Sequence, residues 1–166
     1  MSIASDIFPG APESARVWVF ALARELSPPE LALVTERLEG FVGAWKSHGS
    51  PVRGAYQIVE NRFVLIVGYV DDGVSGCSTD SMVRVMKELK QQHNIDGFDR
   101  NVVSFRDAGG ATRAVTRDEF QKLVESGAVG HETIVFDATI QTVGDLRGGR
   151  FETTFARAWH ANAFSR

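Results

Sequence analysis

The one cysteine of the chain, Cys77, stands in Ser75-Gly76-Cys77-Ser78-Thr79-Asp80-Ser81, among hydroxyl side chains and a carboxylate, directly ahead of an apolar-periodic segment. A cysteine at or just before a helix N-terminus has backbone N–H groups and the helix dipole to favour its thiolate, so one reading of the stretch is a nucleophile or redox sensor. The other reading is a small apolar side chain packed beneath a helix cap, with Asp80 opposing thiolate formation. A catalytic cysteine also needs a base. The residue available for that role is His160, in Trp159-His160 beside Arg157, which would serve as acid or base if the fold sets it at a pocket. The plainer alternative docks this tail with Trp159 buried and His160 exposed or hydrogen-bonded.

Spacing excludes several sharper chemistries. A phosphatase-type loop needs its cysteine and arginine one residue closer than Cys77 and Arg84 stand. A nucleotide phosphate loop needs a glycine-lysine-serine or glycine-lysine-threonine end, and Lys46-Ser47 follows Trp45 instead. Taken as a calcium loop from Asp71, the segment has Gly73 where a carboxylate belongs and Met82 where the closing glutamate belongs. His48, His93, His131 and His160 show no metal-ligand spacing, so neither a metal nor a cofactor is expected.

The elements that must position these residues can be read from periodicity. Arg16 to Leu22 is apolar on both faces, as a strand buried on both faces requires. Ser27-Pro28-Pro29-Glu30 supplies an N-cap, a proline at the first helical position and a capping-box glutamate. Leu31, Val34, Leu38, Phe41, Val42 and Trp45 then recur at helical spacing, and Gly49 after His48 can supply a left-handed cap. Val52 to Val59 and Phe63 to Val70 read as a hairpin turning at Glu60-Asn61-Arg62, the first strand alternating and the second apolar throughout. Met82, Val85, Met86 and Leu89 mark a second helix ending near Asn94, and Asn101 to Arg106 a further strand. Asp99-Arg100 before that strand suggests an ion pair at its entry. The order is β-α-β-β-α-β.

That order predicts an α+β protein with a ferredoxin-like core, its first and third strands parallel at the centre of a four-stranded sheet and its second and fourth at the edges. Residues 1–15 read as an N-terminal loop, 16–107 as the core and 108–166 as a C-terminal α/β extension packed on it within a single domain. Two helices cover only one face of such a sheet, so either the extension or a second copy, as a homodimer, must cover the other. Parallel first and third strands would also make neighbours of the 23–27 and 71–79 loops. Arg24, Ser75, Gly76, Ser78 and Thr79 would then line a small pocket for a polar ligand, with Cys77 at its rim.

Composition sets outer limits. The chain has 166 residues, 43% hydrophobic and 23% charged, with a formal charge of -3, which is ordinary for a globular domain with one core. It has no basic block of the kind that binds nucleic acid. Its longest strongly apolar run, Phe63 to Val70, is far short of the about 18 residues that span a bilayer, so no membrane is expected. A first stretch without a basic-then-apolar pattern and a lone cysteine point to a reducing compartment, the cytoplasm.

The segments SGCSTDSMVRVMKEL, FDR, VFD and WHA resemble, in that order and over nearly the whole chain, a family of small uncharacterised bacterial proteins of Bacteroidetes-type genomes, some labelled ABC transporter ATPase. The resemblance implies no activity, cofactor or catalytic residue. The label finds neither a phosphate loop nor a glycine-rich signature here. Where the family's tail resembles WHARF, this chain reads Trp159-His160-Ala161-Asn162-Ala163-Phe164. The sequence thus supports a binding or interaction module with a small-ligand pocket at the 23–27 and 71–79 loops. The alternative is a small enzyme or redox sensor using Cys77, and a ligand-free assembly component is a third class.

Overall fold

The computed structural model describes residues 7–47, 49–70 and 76–165, the surroundings of Ser47 and of residues 76–78 excepted. It is an α+β protein with two main antiparallel sheets. The first strand, β1 (Arg16–Ala21), leads to helix α1 (Pro28–Ala44). The expected capping box starts that helix: Glu30 N–H donates to Ser27 Oγ at 3.3 Å, and Ser27 N–H donates to Glu30 Oε1 at 2.9 Å. The helix ends at Ala44, before the expected glycine. Gly49, at φ +82°, instead makes the turn of a small ladder between β2 (Lys46–Ser47) and β3 (Ser50–Pro51).

Strands β4 (Arg53–Val59) and β5 (Phe63–Tyr69) form the expected hairpin, with Glu60 and Asn61 at φ 53° and 56°, both left-handed as a two-residue mirror-image turn requires. The sheet order is β1-β5-β4. Here the structure corrects the sequence reading, because β1 runs antiparallel to β5, with Trp18 opposite Ile66 and Ala21 opposite Phe63. The same order corrects the expected position of β1, which lies at the edge of its sheet with only Val17 and Phe20 buried: apolar residues on both faces fix neither a central place nor a direction. Helix α1 returns the chain so that β4 runs as β1 does, and the tight turn then forces β5 to run the other way between them.

A second correction concerns the fourth strand. After helix α2 (Gly76–His93), β6 (Val102–Arg106) does not join the first sheet; it is central in a second one, ordered β7-β6-β8-β9. Its partners are β7 (Thr112–Thr116), reached through a tight turn at Asp107–Gly110, and β8 (Ile134–Phe136), which in turn pairs with β9 (Glu152–Thr154). With both edges of β6 occupied, no expected single sheet of β1, β4, β5 and β6 forms. The outer edge of β1 is taken at one end by the chain near residue 142, where Val17 N–H donates to the Gln141 carbonyl and Val143 N–H to the Ala15 carbonyl.

One face of the first sheet, through Phe20, Val64 and Ile66, packs on Val34 and Leu38 of α1 and Met82, Met86 and Leu89 of α2. The other face, through Val17, Phe63, Leu65 and Val67, is covered by Phe8, Ala11 and Ala15, by Phe136 and Phe151, and by Val143 and Leu146 of α4 (Val143–Arg147). A third cluster joins Val103, Phe105 and Val135 to Phe120 and Val124 of α3 (Arg117–Ser126), and to Phe155 and Phe164 of the tail. The tail ends in the short helix α5 (His160–Ala163). Arg106 ties the two sheets, bonding Glu152 at 2.8 Å and the turn residue Glu60 at 3.0 Å.

Trp45, 3% exposed, seats its indole on Gly54 and Gly68, which face each other across the β4–β5 ladder. A methyl on Gly68 would meet the Trp45 ring at 2.5 Å, whereas one on Gly40 in α1 would meet nothing within 4 Å. Gly68→Ala is therefore expected to lower stability by about 1–3 kcal/mol through overpacking, and Gly40→Ala to raise it by roughly 0.5–1 kcal/mol through helix propensity. Urea midpoints of the two variants check this; equal midpoints would contradict the packing assigned to Trp45.

Candidate functional site

The residues expected to form one ligand site are not together. Arg24 donates from both terminal nitrogens to Glu30, at 2.7 and 2.8 Å, and from one of them to the Asn94 carbonyl at 3.4 Å, just past the C-terminal end of α2. Thr79 lies in the first turn of that same helix. The intervening turns of helix, at about 1.5 Å per residue, put the two roughly 20 Å apart. Antiparallel pairing is the cause, since it brings the loop after β1 beside the hairpin turn, where Leu26 N–H donates to the Asn61 carbonyl, and not to the far end of β5. Arg24 therefore serves the helix cap, and its guanidinium bond holds the Glu30 carboxyl down to about 2. Ser75 lies outside the described residues, as do the surroundings of Gly76 and the side chains of Cys77 and Ser78, so the reactive reading of Cys77 falls outside them too.

His160 is placed, and in the reverse of the expected arrangement: it is 1% exposed, while Trp159 beside it is only half-buried. The short helix α5 turns the imidazole inward onto the third core cluster, where it stacks on the Trp159 indole with centroids 4.1 Å apart and meets Phe120 edge-on. Burial pushes its pKa down to about 4; Asp137 opposes that shift and Arg117 adds to it. His160 is thus a neutral imidazole at pH 7, a hydrogen-bonding group and not a cation.

A cavity of about 550 Å³ opens beside it, bounded by Val19, Phe20 and Ala21 of β1, by the 97–104 segment leading into β6, and by Phe136, Ala138, Thr139, Trp159 and His160. This is the gap left because β6 turns away from β1. Along β1, Val17 directs its N–H outward to Gln141 and Leu22 directs its own inward to Arg62. By the alternation of an antiparallel ladder, Val19 and Ala21 turn their N–H and C=O groups outward too, toward the cavity.

Three residues of the lining, Ser104, Trp159 and His160, each hold a buried side-chain polar atom without a hydrogen-bond partner: Oγ, Nε1 and Nδ1. A buried polar group without a partner costs about 1–3 kcal/mol, and native proteins hold few of them. That all three residues border one cavity makes it the candidate site. Arg117 and Arg100 also line it; Arg117 lies over the Trp159 ring at 5.4 Å and the Phe164 ring at 5.1 Å. Among the described residues neither guanidinium forms an ion pair. The expected Asp99–Arg100 pair is absent because Asp99 Oδ1 accepts the Asn101 N–H at 2.9 Å, turning the chain into β6.

Sequence reasoning reached His160 but missed Ser104, Arg100, Arg117 and the indole nitrogen of Trp159. One signal was present: Ser104 sits between two apolar residues of a buried strand, where a hydroxyl needs a partner. Among the described residues no three of His, Cys, Asp and Glu converge as a metal site would require, and no helix is long and apolar enough to cross a membrane.

The burial of His160 generates a pH prediction. In the folded state it takes a proton only near pH 4, while in the unfolded chain it does so near 6.5. The unfolded state therefore binds more protons between those values, and the contribution of His160 to stability, complete above 6.5, declines as pH falls toward 4. In a proton NMR titration its ring resonance is expected to stay constant through 6.5 and to move with a midpoint near 4. A midpoint at the ordinary histidine value would contradict its burial in the aromatic cluster.

Compared with known proteins, the chain matches no family model, no curated protein and no solved structure, so its function is argued from the cavity.

Proposed function

We propose that the protein is a binding module for a small molecule, held in the cavity between β1 and β6. The observation that carries this reading is the cavity itself, bordered by the apolar side chains of Val19, Phe98 and Phe136 together with Ser104, Trp159, His160 and two guanidinium groups free of ion pairs among the described residues, those of Arg100 and Arg117. Its volume of about 550 Å³ is in the range of ligand pockets, and its wall combines apolar side chains with a few convergent polar groups. The polar ligand expected from the sequence is kept in this proposal, while its place moves from the loops at Arg24 and Thr79 to the gap beside His160. The neutral imidazole, an indole N–H and a hydroxyl are groups that orient a ligand by hydrogen bonds.

Two outcomes follow. A hydroxyl kept for a ligand contributes nothing to the unliganded fold, so Ser104→Ala is expected to leave stability unchanged or raise it by about 1 kcal/mol. A loss larger than that in urea unfolding would mean that the hydroxyl already has a partner. A fragment screen by NMR on the nitrogen-15-labelled protein is expected to yield binders that shift the Trp159 indole N–H and the amides of Val19 and Ala21. Binders that all leave these signals unmoved would overturn the reading.

A further inference from the structure

We infer that the ligand of this cavity is a short extended peptide, which adds as a strand to the free edge of β1 and pairs antiparallel with Val19 and Ala21. The inference rests on the binding reading above and adds the chemical class. The backbone of β1 leads to it. Leu22 N–H donates inward to the Arg62 carbonyl and Val17 N–H donates outward to the Gln141 carbonyl, so the even-numbered residues serve β5 and the odd-numbered ones face away from it. At Val19 and Ala21 these outward N–H and C=O groups have no backbone partner among the described residues. Two donors and two acceptors thus alternate along one edge, at residues about 7 Å apart. An extended main chain is the ligand that matches all four at once, as in strand addition.

The adjoining stretch of the same edge is paired in this way within the chain. Arg16 bridges Thr142 in the antiparallel sense, and Val143 N–H donates to the Ala15 carbonyl at 3.0 Å. Continued in that register, the ladder would set Thr139 opposite Val19 and Asp137 opposite Ala21. The chain does not continue it. Gln141 N–H donates to Asp145 Oδ2 at 3.0 Å, and Asp137 Oδ1 accepts the Thr139 N–H at 2.8 Å, which turns the segment off the edge. Beside the unpaired positions lies the cavity of about 550 Å³, with Val19, Phe20 and Ala21 on one wall and Ala138 and Thr139 on another. That volume takes a drug-sized ligand, and three extended residues, about 10 Å long, are one. Side chains opposite Val19 and Ala21 would share their face of the sheet with Phe136, and the side chain between them would share the face of Phe20 with Phe98. Apolar residues suit both faces.

The probe is acetyl-Val-Ala-Val-methylamide, titrated into the full nitrogen-15-labelled chain and read at the amides of Val19 and Ala21. It is expected to shift both signals and to slow their hydrogen exchange at least roughly tenfold at saturation. Methylating the nitrogens of both valines removes the two N–H groups that would donate to the Val19 and Ala21 carbonyls, and is expected to weaken binding at least roughly tenfold. Methylating the alanine nitrogen, which would point away from β1, should change binding by no more than about threefold. In the protein, Ala21→Pro deletes an outward N–H that β5 does not use, a change an edge strand accepts. It is expected to keep the slow exchange of Phe20 and to weaken peptide binding about fivefold or more. The methylated peptides decide the matter even if that variant does not fold. If the peptide methylated at both valines binds as tightly as its parent, or if methylating the alanine costs as much, main-chain pairing is overturned while the binding reading stands. If the parent peptide leaves the Val19 and Ala21 amides unmoved, the class is again overturned, and the fragment screen then decides the binding reading separately.

Discussion

The fold follows from one constraint: β5 is apolar on both faces, and water must be kept from each. Phe63, Leu65 and Val67 look one way, Val64 and Ile66 the other, and all are fully or almost fully buried. Full burial of side chains of this size is worth about 1.5–3 kcal/mol each, so neither face can be left uncovered. Helices α1 and α2 meet the demand on one side. The other side is met by the first described residues together with the 136–151 stretch, which reaches that face because β8 and β9 hold it in a second sheet. Drawing β6 into that sheet leaves the outer edge of β1 without a strand along Val19 to Ala21. The cavity is the geometric remainder of covering β5 twice.

What lines that remainder differs from a packing defect. A void left by poor packing is apolar and dry, whereas this one is bordered by two arginines and by Ser104, Trp159 and His160, whose buried polar atoms lack partners. Each is costly to leave so, and none is needed to hold the second sheet together. Phe120, Phe155 and Phe164 do that, and Arg106, paired within the sheet with Glu152, links it to the first through Glu60. The polar groups at the cavity are thus the part of the structure that stability alone does not account for.

Local features were legible in the sequence where local chemistry decides them. Ser27 and Glu30 announced the capping box, Glu60-Asn61 the hairpin turn, and the doubly apolar Phe63 to Tyr69 an interior strand. Long-range choices were not legible. Apolar residues on both faces fit β5, which is interior, and β1, which is at the edge, and are silent on their relative direction, so the loops at Arg24 and Thr79 were placed side by side when a helix length separates them. The departure of β6 depends on its pairing with β8, where Phe105 meets Val135 some thirty positions on, which no local window reaches. For the same reason His160 could be suspected from its type, while Ser104, Arg100 and Arg117 became part of a site only once the two sheets were assembled. Trp159 and His160 exchanged their expected roles because the turn into α5 points the smaller ring inward.

The central claim is that β6 leaves β1 and that the resulting gap opens onto the backbone of β1. Amide hydrogen exchange of the unliganded protein tests it most directly. Phe20, which faces β5, and Val17, bonded to Gln141, are expected to be strongly protected, while Val19 and Ala21 between and beside them exchange orders of magnitude faster. Protection of Val19 and Ala21 equal to that of Phe20 would mean that a strand pairs with this edge, and the account of the cavity would be wrong.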